Sequence, residues 1–435
     1  MKAWTMVAAH LAFGWLTAVS TGADEQATPT GAAPQRQTAT APDDACGCPA
    51  ERDTLTDNWL GLGRPLDEAG LAVALGLTQI CQHNLHGGLS THRRSGRYAG
   101  SYDLEIDADL EALAKLPGGR LYLLARGSWS DGVDPPSVGS LFGANADAAA
   151  DRAIDVWQLF YEQAVLPGKL WVRLGKIDLT GGFECRGCPA SFDGSQFAND
   201  ETGQFLNGAL VNNPTIPFPD PGLAAIVHLE AVEGWYVSAA AADADADVRE
   251  TGLRTGLHGR DEFFSIFETG LTPRLASPRG PLQGAYRVGL WYSGATRERF
   301  DGGSKRDDVG CYASCGQCLW KENRQEDDEQ GLGAFARYGL AHADANEVKG
   351  FWSAGVQYQG LLPSRDDDVV GLGVAQGRLS RQAGLTERHE TALELYYKIA
   401  VTHWLEIAPE IQYVINPGGA GGDAVVAGVR VQIAF

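Results

Sequence analysis

Three cysteines in "CYASCGQC", Cys311, Cys315 and Cys318, carry the spacing of the thiolates that hold an iron–sulfur cluster in radical enzymes. Such a cluster also requires a reducing compartment and a strand–helix barrel around it. Cys185 and Cys188 form a CxxC pair that, with Cys315 and Cys318, would supply four thiolates to a tetrahedral zinc ion. Cys46, Cys48 and Cys81 complete a set of eight. Exported thiols tend to be oxidised, so disulfides that staple surface loops are the expected state, with a pairing that spacing alone does not reveal. No metal or other cofactor is expected.

The remaining candidate chemistry is sparse. Asp243, Asp245 and Asp247 alternate as in a calcium loop but lack the glycine turn and closing glutamate of an EF-hand, and read as a solvated loop. "RDDD" at 365–368 and "EDDE" at 326–329 read as charged loop faces. The nine histidines form no HExxH, and neither a nucleophile elbow nor a phosphate loop is present. No catalytic residue is named, and no enzyme is expected.

The elements that would position any site alternate with period two. In the terminal "DAVVAGVRVQIAF", Val425, Ala427, Val429, Val431 and Ile433 share one face, and Arg430 and Gln432 the other. "GKLWVRLGKID" sets Leu170, Val172 and Leu174 against Trp171 and Arg173. "AYRVGLWYSG" sets Tyr286, Val288 and Leu290 against Arg287 and Trp291. Similar segments place Lys349, Glu394, Lys398, Glu406 and Glu410 on polar faces. Runs of about 9 to 12 residues suit strands that cross a hydrocarbon layer at a tilt. Only a closed barrel satisfies every backbone group there. The apolar faces are expected to meet lipid and the charged faces a wet lumen, with short turns such as "THW" opposite long polar loops such as 294–330.

A formal charge of -20 argues against a nucleic-acid partner, which needs a basic footprint. Residues 1–23, with Lys2 before an apolar stretch and small residues near Ala23, read as a secretory signal peptide. Residues 24–50, rich in Ala, Thr, Pro and acids, read as a flexible acidic leader, which leaves 51–435 for the barrel. No later segment is an unbroken apolar run of about 18 residues.

Taken together, "DTLTDNWLGLGRPLDEAGLAVALGLTQ", "WVRLGKIDLTGGF", "FLNGALVNNPTIPFPDPGLAA", "VQYQGLLPSRDDDVVGLGVAQGRLS" and "ETALELYYKIAVTHWLEIAPEIQYVINPGG" resemble the carbohydrate-selective (OprB-like) porins. The resemblance runs from about residue 52 to Phe435, and the acidic leader and the cysteines depart from it. It implies an all-β fold, a closed antiparallel transmembrane β-barrel of sixteen strands with a short N-terminal helical segment. It also implies a bacterial outer-membrane location and passive diffusion of sugars, with Arg93 and Arg94 matching basic positions that reach the constriction.

A sugar presents hydroxyls all round and flat patches of C–H. Arginine forks, carboxylates and aromatic faces answer those needs. The candidate substrate-binding set is Arg93, Arg94, Trp171, Arg173, Arg287, Trp291, Glu394, Lys398, Glu410 and Arg430, with Lys349 and Glu406 on the same faces. Mixed signs suit an uncharged polyol better than an ion filter built from rings of one sign. A general or anion-leaning porin and a plugged barrel acting as an outer-membrane or cell-wall scaffold are the alternatives. The expected partners are small sugars and outer-membrane lipid, with a homotrimer or a monomer both open.

Overall fold

The structure, a computed structural model, describes residues 52–149, 151–183, 204–247, 262–324 and 330–435. The expected signal peptide, the leader, Cys46, Cys48, Cys185, Cys188 and the 326–329 acids lie outside the described residues.

Sixteen antiparallel strands close into one barrel. They are β1 (Leu71–Gly87), β2 (Gly96–Asp109), β3 (Gly119–Trp129), β4 (Arg152–Leu166), β5 (Leu170–Ile177), β6 (Gly222–Val232), β7 (Trp235–Asp243) and β8 (Phe263–Leu271). There follow β9 (Leu282–Ser293), β10 (Asp308–Lys321), β11 (Gly331–Leu340), β12 (Val348–Gln359), β13 (Val369–Leu379), β14 (His389–Thr402), β15 (Leu405–Ile415) and β16 (Ala424–Ala434). Each strand pairs with its sequence neighbours, and β1 closes the circle on β16 with Ile80 opposite Arg430. No helix among the described residues is long and apolar enough to cross a membrane.

The period-two alternation decides which face turns outward. On β9, Val288 and Leu290 are 55% and 61% exposed, whereas Arg287 and Trp291 are buried. On β16, Val429 is exposed and Arg430 buried, as the alternation predicts. Transfer of such outward side chains from water to hydrocarbon contributes about 1.5–3 kcal/mol each. Trp352 and Tyr413 stand near one end of the outward faces, and Trp235 and Trp320 near the other, where interfacial aromatics belong. On the inside, a side chain at Gly270, Gly289 or Gly371 would strike the ring of Tyr236, Tyr312 or Tyr396. These tyrosines therefore cover backbone that a larger residue would push away.

One end of the barrel carries short turns, among them 167–169, 233–234 and 403–404. The other carries long connections, and described parts of two of them fold inward. The first, 130–149, contains a π-helical turn Asp134–Val138, and the second, 204–221, a helical turn Gly208–Val211. Val133, Val138 and Ala144 pack on Val414, Ala424 and Val426. Phe205, Ala209 and Leu210 pack on Phe335, Phe351, Ala375 and Tyr396. These segments carry no strand periodicity, so the sequence pattern gives no sign of where they pack.

Two helical turns, α1 (Asp57–Leu60) and α2 (Gly63–Glu68), precede β1. Strand β1 overhangs its partner, since pairing with β16 begins only at Gly76 opposite Ala434. The bare edge is covered by Trp59, whose indole donates to the Val73 carbonyl at 2.9 Å. An unpaired edge would otherwise invite another strand. Asp57, Asn58, Trp59 and Leu60 all have φ between 52° and 59°. That left-handed turn costs roughly 1–2 kcal/mol per residue and is held by its neighbours.

For the four described cysteines the expectation is corrected. Cys81, Cys311, Cys315 and Cys318 are free thiols within β1 and β10, not loop disulfides. The expected loop 294–330 is interrupted by the whole of β10. Its alternation is hard to read because small residues blur it. Tyr312, Ser314 and Cys318 turn inward, while Val309, Cys311 and Cys315 turn outward, opposite Tyr292, Leu290 and Tyr286. The iron–sulfur spacing is thereby split between two faces. Among the described residues no group of three His, Cys, Asp or Glu side chains is placed to hold a metal.

Candidate functional site: the lumen wall of β2 to β5

Strand β2 reads "SYDLEIDAD" and turns Asp103, Glu105 and Asp107 inward. Its neighbour β3 turns Arg120, Tyr122, Leu124 and Arg126 inward, because Asp103 pairs with Arg126 and Glu105 with Leu124. Arg120 clamps Asp107 with two bonds, of 2.7 and 2.6 Å. Arg126 clamps Asp103 likewise, at 2.7 and 3.0 Å. One strand further round, Arg173 of β5 donates to Glu162 of β4 at 2.9 and 2.6 Å. Arg120 also approaches Glu162 at 3.8 Å, which links the pairs into one ladder.

Aromatic rings accompany each rung. The Arg126 guanidinium lies 5.1 Å from the Trp157 ring, and Arg173 lies 4.3 Å from Phe160 and 4.8 Å from Trp171. Tyr122 stacks on Phe160 and Trp171 on His228, each at 5.0 Å. The Trp157 indole is fixed by donation to Asp178 at 2.8 Å. Side chains of Asp103, Asp107, Arg120, Arg126 and Glu162 remain between 16% and 33% exposed, so this part of the ladder reaches lumen water, whereas Arg173 is 4% exposed. Fixed donor forks, acceptors and flat faces meet here on one wall.

Five of the other sequence candidates, Glu394, Glu410, Arg430, Arg287 and Trp291, face inward but are covered. Glu394 accepts the Leu206 and Asn207 amides at 2.7 and 2.8 Å, and so pins the second in-folded segment. Gln82 bridges Glu410 to the Ala144 carbonyl, at 3.0 and 2.9 Å, under the first. Arg430 is 1% exposed, and Arg287 and Trp291 are also buried. Lys398 and Glu406 pair at 3.1 Å and stay partly open to the lumen. Lys349 sits at a β-bulge between Val348 and Gly350. Arg93 and Arg94 are exposed in the loop between β1 and β2, where Arg94 has φ 55° and Ser90 accepts the Arg93 amide at 3.0 Å. They stand apart from the ladder.

Sequence reasoning missed Asp103, Asp107, Arg120, Arg126, Trp157 and Glu162. The signal was present, since acids recur at every second position from 103 to 109 and Arg120, Tyr122 and Arg126 share a parity.

Carboxylates also hold the first in-folded loop. Glu390 accepts the Leu141 amide at 3.0 Å, the Gly418 amide at 2.7 Å and the Ser140 hydroxyl. Asp134 accepts the Ser140 and Ala144 amides at 3.3 Å. Burial pushes the Asp134 carboxyl up to about 7, with nearby Glu390 adding to the rise. A raised acid contributes stability that is complete below its ordinary value near 4 and lost as pH rises through about 7. Hydrogen-exchange protection of Gly139–Ala144 is therefore expected to be lower at pH 8 than at pH 5. Asp134→Asn should flatten that difference, and an unchanged slope in the variant would refute the assignment.

The profile of the carbohydrate-selective porin, OprB family, matches residues 93–435. The chain belongs to that family. Porin B of Pseudomonas aeruginosa is 24% identical over 422 residues, covering 87% of this chain and 90% of that protein. The high-pH structure of Pseudomonas putida OprB superposes with a TM-score of 0.73 at 22% identity, over 89% of this chain and 99% of that one. The low-pH structure of the same protein gives 0.56 at 20% identity, with the same coverage. The shared fold agrees with the sixteen-strand barrel, and the family is one of channels located in the outer membrane. In this carbohydrate-selective porin, the ladder of β2 to β5 brings donor forks, carboxylates and aromatic faces together on one wall.

Proposed function

We propose that the barrel lets uncharged sugars diffuse passively across the outer membrane, and that they touch the β2 to β5 ladder on the way. The observation that carries this reading is the ladder itself, in which the Arg120–Asp107 and Arg126–Asp103 clamps sit beside aromatic rings and stay open to water. A sugar can exchange hydroxyl bonds with the forks and lay a C–H face on a ring, while the paired charges give an ion little net field. Of the sequence candidates, Trp171 belongs to this face with the buried Arg173 stacked against its ring, and Lys398 with Glu406 gives it a polar counterpart on β14 and β15. Glu394 and Glu410 act as anchors beneath the in-folded segments, and Arg287, Trp291 and Arg430 are buried parts of the wall. Arg93 and Arg94 meet solutes at the mouth. The barrel performs no catalysis. Residues 1–23 direct export with cleavage near Ala23, the outward faces contact lipid, and the barrel works as one copy or three.

Liposome swelling with glucose and with glucuronate, an anion of similar size, tests the reading. Glucose should enter several-fold faster. Equal rates would indicate a general porin, a reversed order an anion-leaning one, and no flux a plugged scaffold.

A further inference from the structure

On the ladder, two of the three inward acids of β2 are closed off. Asp103 and Asp107 each use both oxygens on an arginine, whereas Glu105, between them, has no ion-pair partner among the described residues. One of its oxygens accepts the Tyr122 hydroxyl at 3.0 Å. The other makes no hydrogen bond among the described residues, and it is not among the buried polar atoms that lack one, so it meets lumen water. Glu105 lies opposite Leu124, which is apolar and buried, and beside the Tyr122–Phe160 stack. The result is a single unclaimed carboxylate oxygen over an apolar floor, with a clamped guanidinium on either side.

We propose that Glu105 is a specificity-determining residue of the passage, accepting a hydroxyl of a neutral sugar and excluding anionic ones. The inference rests on the reading of sugar passage given above. A charged acceptor makes a stronger bond to a hydroxyl than a neutral amide does, and it repels a uronate carboxylate at the same place. Asp103 and Asp107 cannot take this part, because a hydroxyl would have to displace a two-bond clamp.

The test is block of ion current by glucose through single channels in planar bilayers, together with glucuronate flux. Glu105→Gln should raise the half-blocking glucose concentration about tenfold, the loss expected for one charge-assisted bond. It should also raise glucuronate flux several-fold and move the reversal potential towards anions. Glu105→Asp keeps the charge but shortens its reach, and should weaken block while leaving the reversal potential in place. Tyr122→Phe removes only the supporting hydroxyl and should change block less than about twofold. If wild-type channels show no glucose block or flux, the reading of sugar passage fails. If wild-type channels are blocked and both Glu105 variants match them, that reading stands and the role of Glu105 is overturned.

Discussion

Glu394→Ala is expected to release the segment around Gly208–Val211 from the barrel wall. The side chain is 1% exposed, and its two oxygens receive the Leu206 and Asn207 amides. Truncation orphans both donors and leaves the buried Arg430 guanidinium without one of the carboxylates that attract it. Breaking a buried charge arrangement from one side costs about 3–5 kcal/mol. Glu394→Gln keeps one acceptor oxygen and should cost less, about 1–3 kcal/mol. Urea unfolding in lipid vesicles reads the difference, and exchange at the Leu206 and Asn207 amides locates it. An alanine variant as stable as wild type, with those amides still protected, would show that apolar packing of Phe205 and Leu210 holds the segment unaided.

The second large effect belongs to the outer face. Val288 lies mid-strand on β9 and is 55% exposed towards lipid. Val288→Arg should destabilise the barrel by about 2–4 kcal/mol, the cost of a cation near the bilayer midplane. Gln317 also points outward, close to the short-turn end, where it accepts the Tyr286 hydroxyl at 2.7 Å. Gln317→Arg should cost only about 0–1 kcal/mol at that depth. Equal tolerance at the two positions in vesicle-based unfolding would contradict the placement of β9 in the membrane.

The faces of β9, β14 and β16 were legible because large aliphatic residues alternate there with Arg, Glu or Gln, and a one-residue slip would have reversed every one of them. The face of β10 was not, because Cys, Ala, Ser and Gly alternate with little contrast. The covered state of Glu394 and Arg430 was hidden for another reason: alternation gives the side of the sheet but not what lies against it. The covering segments follow no period, and they meet the wall through partners as remote in sequence as Leu206 and Glu394. The ladder was readable from the acids of β2, yet which of them an arginine claims depends on the β2–β3 register.

The junction of β1 with β16 bears on how long a folded barrel survives. A closed sheet has no free edge, so rupture must begin by parting one pair of neighbours, much as a zip fastener opens only from its slider. At this junction Leu55 donates to the Ala434 carbonyl at 2.8 Å, Phe435 donates to Leu75 at 2.9 Å, and Trp59 secures the overhang. Contacts that join only after the circle is complete are absent from the opening transition state, so they retard escape more than they speed assembly. Contacts of this kind act on how long the folded barrel lasts, as a rate rather than as an equilibrium.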